Sequence, residues 1–116
     1  MMRILILAAS AAVFFLIAGP ASAQDAKAVD KGKAVYLATP SCKMCHSIDG
    51  VGNAKGPLDS VGAKLTPAEI KEWLVDPVGM TAKTHAERKP VMKLSKPLAP
   101  EDVDALVAYL STLKKK

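Results

Sequence analysis

The pentad Cys42-Lys43-Met44-Cys45-His46 constrains this chain more than any other stretch, because it holds both cysteines and one of the two histidines. Four chemistries use such a set: a disulfide, a redox dithiol, a zinc site and a covalently attached haem. A Cys42–Cys45 disulfide would close a loop too small to constrain much of the unfolded chain, and it leaves His46 without a role. A redox dithiol of the thioredoxin kind sits in a βαβ pattern, and no alternating strand pattern of useful length occurs here. A closed zinc site needs four ligands. Beyond the pentad only His85 remains as a nitrogen or sulfur donor of the usual kind, and it has no partner at ligand spacing. Haem uses every part. Two thiols at this spacing can add to the two vinyl groups of one porphyrin, and the adjacent imidazole then becomes an axial ligand, so the C-x-x-C-H pentad reads as a c-type attachment site.

That attachment takes place outside the cytosol, and the N-terminus agrees. Met1-Met2-Arg3, an apolar run from Ile4 to Ala18 and the small-residue ending Ala21-Ser22-Ala23 have the parts of a secretory signal peptide over 1–23, with Gln24 as the mature N-terminus. The apolar run falls short of the roughly 20 residues that a membrane span needs, and an uncleaved anchor is the alternative reading. The chain is therefore expected in the periplasm, with no stable membrane insertion after cleavage. Residues 24–116 make one small domain, near the size at which a side-chain core alone is marginal. Trp73, Tyr36 and Tyr109 are its only large aromatics. A large apolar cofactor would supply the missing core. The formal net charge of +5 owes much to Lys114-Lys115-Lys116, which reads as a solvated tail. No interleaving of basic and aromatic residues points to nucleic acid.

Three helices are expected. The first covers roughly 25–38, with Val29, Gly32, Val35 and Tyr36 on one face. The second opens at Thr66-Pro67-Ala68-Glu69, an N-cap, a proline at the first helical position and a capping-box glutamate, and Pro77 ends it. The third begins near Pro100 and lines up Val103, Leu106, Val107, Leu110 and Leu113, with acids in its first turn and lysines at its end. Its N-cap position holds Ala99, which cannot cap. Between the helices, "DGVGNAKGP" and "KPVMKLSKPLAP" read as loops. Loops that long in so small a domain usually wrap something.

These stretches resemble a class I cytochrome c over nearly all of 26–114. "GKAVY" (32–36) is similar to the family's first helix, where a glycine and an aromatic residue meet the last helix, and "ALVAYL" (105–110) is similar to that last helix. "EWLVDP" (72–77) resembles the third family helix, which puts Trp73 against the haem. "KGPL" (55–58) resembles the stretch whose proline carbonyl, here that of Pro57, accepts the hydrogen bond from the proximal imidazole. The resemblance implies an all-α cytochrome c fold, with three main helices and long loops wrapped around one haem c bound through Cys42 and Cys45.

The iron's second axial ligand is less explicit. Met44, Met80, Met92 and His85 are the candidates in the mature chain. Met44 lies inside the pentad and cannot reach the opposite face, and His85 sits in the polar run "TAKTHAERK". Met80 reads as a gap-filling core residue. The resemblance assigns the ligand to Met92, in "KPVMK" shortly before the last helix. A His46/Met92 set raises the reduction potential and leaves no open iron position. It implies an electron carrier, not an enzyme. Its expected partners are a donor complex and a terminal reductase or oxidase, met transiently by a monomer whose lysines steer it to acidic surfaces. The competing reading is a haem peroxidase or a cytochrome subunit of an oxidising complex. A peroxidase needs an open iron and a distal acid-base group, for which His85 is the sole candidate.

Overall fold

The computed structural model describes residues 21–116. The apolar core of the expected signal peptide, Ile4 to Ala18, lies outside the described residues. The fold is all-α apart from one very short hairpin. Helix α1 spans Ala21–Ala38, α2 Pro40–Cys45, α3 Val61–Lys64, α4 Pro67–Val75, α5 Pro77–Thr84 and α6 Pro100–Ser111. Strands β1 (Ser47–Ile48) and β2 (Val51–Gly52) pair antiparallel between α2 and α3.

The architecture rests on the crossing of α1 and α6. Gly32 lies directly against the Ala105 carbonyl and the Tyr109 side chain, so the two backbones approach as closely as a missing side chain permits. One turn further along α1, Tyr36 packs against Tyr109 with ring centroids 6.5 Å apart and planes tilted by 57°, an edge-tilted arrangement favoured by aromatic quadrupoles. Ile48 of β1, Ile70 and Leu74 of α4, and Val103, Leu106 and Leu110 of α6 complete the buried cluster. The apolar faces read from helical spacing are thus the faces that meet.

The local signals explain most helix boundaries. The Thr66 hydroxyl accepts from the Glu69 amide at 3.2 Å while the Glu69 carboxylate accepts from the Thr66 amide at 2.7 Å, a complete capping box at the start of α4. Ala99 provides no side-chain cap for α6, as expected.

Three features differ from the sequence reading. Pro77 does not simply end a helix. It occupies the first turn of α5, where a missing N–H costs nothing, and Asp76 caps that helix by accepting from the Gly79 amide at 3.0 Å. Asp49-Gly50 closes the β1–β2 hairpin with both residues at positive φ, 51° and 79°, the backbone that a two-residue hairpin turn demands. The terminal lysines are exposed, as a solvated tail would be, but the tail is pinned at Lys115. Helix α6 stops at Ser111, before them. The Lys115 amide donates to the Asp59 carbonyl at 2.9 Å, Ser60 Oγ donates to the Lys115 carbonyl at 2.6 Å, and the Lys115 ammonium pairs with Asp49 and Asp59. No helix of the described residues is long and apolar enough to cross a membrane.

Candidate functional site

Helix α2 is a short turn of helix begun by Pro40 and ended by Cys45. It sets Cys42 and Cys45, both free thiols, on the wall of a cavity of about 540 Å³, within the range of roughly 300 to 1,000 Å³ common for cofactor sites. His46, Trp73 and Met92 line the same cavity, and Leu58, Ile70, Leu106 and other core side chains give it an apolar wall. The pentad, the third family helix and the segment before α6 therefore converge on one space. Burial pushes the Cys42 thiol above its ordinary value, with the neighbouring Cys45 adding to the effect.

The His46 ring is held from behind. Its Nδ1 lies 3.0 Å from the Gly56 carbonyl. A carbonyl only accepts, so Nδ1 carries the proton and Nε2 keeps the lone pair that a metal requires. Burial holds the imidazole below the usual histidine value, the Gly56 bond opposes this and the nearby Arg88 cation reinforces it. The net effect favours the neutral ring, the form a ligand must take.

The partner of His46 is Gly56, which corrects the expectation of the Pro57 carbonyl. The reason is register. Ser47 and Pro57 form a parallel bridge in which the Ser47 amide donates to Gly56 O at 3.1 Å and the Leu58 amide donates to Ser47 O at 2.8 Å. In such a bridge the carbonyl preceding the paired residue faces the opposite strand, so it is Gly56 O that points at His46–Ser47. Gly56 itself is wedged against the Cys45 carbonyl and the Arg88 guanidinium, with no room for a side chain.

The other candidates separate cleanly. Met80 is buried, 6% exposed, between α4 and α5 and lines no part of this cavity. His85 is an exposed residue ending α5 in a left-handed conformation, and it does not line the cavity. Met44 borders the cavity but belongs to the attachment turn itself and is 73% exposed. Arg88 was invisible as a site residue, hidden in a polar run. It lines the cavity, and its Nη2 donates to the Cys45 carbonyl at 2.6 Å.

Tyr36 joins the core to the site. Its hydroxyl donates to the His46 carbonyl at 3.3 Å, the same oxygen that accepts from the Asn53 amide at 2.9 Å. Burial pushes the Tyr36 phenol from 10.0 up to about 12, with Cys42 adding to the effect. An acid raised in this way stabilises the fold fully below its unfolded value. The contribution fades as pH rises from 10.0 towards 12. The denaturant midpoint should therefore fall across that window, and Tyr36→Phe should flatten the fall while costing about 1 kcal/mol at neutral pH for the lost hydrogen bond. An unchanged alkaline slope in Tyr36→Phe would show that other groups control it.

An all-α chain that gathers two thiols, an imidazole with a free Nε2 and a thioether around one apolar cavity has the donor set of a covalent haem site. The family model for Cytochrome c matches residues 29–114, and the chain belongs to that family. No curated protein and no solved structure matches it. Membership implies covalently bound haem c and haem-based electron transfer, and it suggests an exported protein.

Proposed function

We propose that this chain is a periplasmic one-electron carrier that holds a single haem c through Cys42 and Cys45, with His46 and Met92 as the axial ligands. The observation that carries the reading is the shared cavity: Cys42, Cys45, His46 and Met92 line it together, and Met80 and His85 do not. When bound, the haem supplies a reversible one-electron couple. The chain's own residues do the rest. Gly56 fixes the imidazole tautomer, Trp73 and the apolar wall exclude water, and Met92 supplies a soft donor that favours the reduced iron. Held by both His46 and Met92, a haem would supply one-electron exchange and little else.

Export by a signal peptide ending at Ala23 fits covalent attachment outside the cytosol. Lys93 on the cavity rim and nearby Lys96 favour acidic redox partners, a donor complex and a terminal reductase or oxidase, met by a monomer through brief contacts. Intact-mass measurement of the exported protein tests the core of the proposal. It should give residues 24–116 plus one haem that resists acid-acetone extraction. Extractable haem would overturn covalent attachment, and a mass that includes residues 1–23 would overturn cleavage.

A further inference from the structure

The segment between α5 and α6 carries Met92 and adopts no regular structure from Ala86 to Ala99. Its polar anchoring is thin. Among the described residues, 87–98 make no backbone hydrogen bond to the rest of the chain, and the sole side-chain hydrogen bond from this stretch is that of Arg88 to the Cys45 carbonyl. Leu98 adds an apolar contact with the core near the far end. Arg88 is thus the polar link between the segment that bears the thioether and the turn that bears the imidazole.

The chemistry of that link is specific. The guanidinium is permanently charged and presents a rigid fork of donors. One nitrogen meets the Cys45 carbonyl, and the other lies against Gly56, whose carbonyl holds His46 Nδ1. A single side chain four positions before Met92 therefore braces the proximal turn and tethers the distal segment.

We propose that Arg88 is a positioning residue, a latch that sets how often Met92 leaves the iron and so how often a small ligand can enter. This rests on the assignment of Met92 as axial ligand. Lys89 provides the control, since it is the adjacent cation and has no hydrogen-bond or ion-pair partner among the described residues.

The test uses the oxidised haem-bound protein and three variants, Arg88→Gln, Arg88→Lys and Lys89→Gln. The readouts are the limiting rate of imidazole binding at saturating imidazole and amide hydrogen exchange over 86–98. Arg88→Gln should raise both by about tenfold, the low end for a charged hydrogen bond because Arg88 is exposed. Arg88→Lys should recover part of the loss, keeping the charge without the fork, and Lys89→Gln should match the parent. Equal acceleration by Arg88→Gln and Lys89→Gln would reduce the effect to general charge and overturn the latch, as would unchanged rates in Arg88→Gln. If the parent lacks a sulfur-to-iron charge-transfer band, the Met92 assignment fails on its own account. The exchange data would still decide whether Arg88 holds the segment.

Discussion

Met92→Ala should abolish the weak red-edge sulfur-to-iron charge-transfer band of the oxidised protein, lower its reduction potential and admit cyanide, imidazole or peroxide to the iron. The effect is large because the thioether is a soft donor that favours ferrous iron, and axial-ligand identity moves haem potentials over about 0.8 V. Peroxidase activity should appear, since an open position is what a bis-ligated carrier lacks. Met80→Ala gives the opposite pattern. Met80 is buried off the cavity, so its truncation should cost roughly 2 to 3 kcal/mol of stability while leaving the band, the potential and ligand access nearly unchanged. Optical spectra, voltammetry and denaturant titration of the two variants separate spectroscopy from stability. Loss of the band in Met80→Ala would transfer the ligand assignment to α5. A parent protein that never shows the band and binds cyanide readily would favour the open-site enzyme.

Gly32→Ala should destabilise the protein by about 3 kcal/mol, at the upper end for an overpacked interior site, and lower the melting temperature by roughly 10 to 20 °C. Two effects compete at this position. Alanine is the better helix former by about 1 kcal/mol, and on an open helix face the substitution would be stabilising. Here the new methyl meets the Ala105 carbonyl and the Tyr109 Cβ, neither the far end of a flexible side chain, so α1 and α6 must separate. That separation also disturbs the Tyr36–Tyr109 contact and the Tyr36 hydrogen bond to His46 O. Ala34, two residues on and exposed, is the comparison site, where Ala34→Ser should change stability by less than about 0.7 kcal/mol. A Gly32→Ala variant that melts higher than the parent would show that the crossing is looser than the structure has it.

Much of this protein was legible in its residues because the signals are local. The faces of α1 and α6, the Thr66–Glu69 box and the bare Ala99 N-cap each depend on residues within a turn or two of one another. Two further local signals are ambiguous by themselves: Asp76-Pro77, a capping residue followed by a first-turn proline, opens α5, and Asp49-Gly50 closes the hairpin. Both dipeptides also read as loop punctuation, and helical propensity over 77–84 is too weak to force the choice.

The expectation of covalent haem attachment came from sequence alone, because the two thiols and the imidazole lie within five residues of one another. Tertiary structure decided the rest of the site. Which carbonyl orients His46 depended on a bridge register across ten residues, and register moved the role from Pro57 to Gly56. Which of Met80 and Met92 borders the cavity depended on α5, which buries Met80 against α4 and delivers Met92 beyond it. The part played by Arg88 spans 43 residues to the Cys45 carbonyl. Long-range contacts of this kind leave no periodicity or spacing in the chain, since they exist only once α1 and α6 have packed and closed the loops around a common cavity.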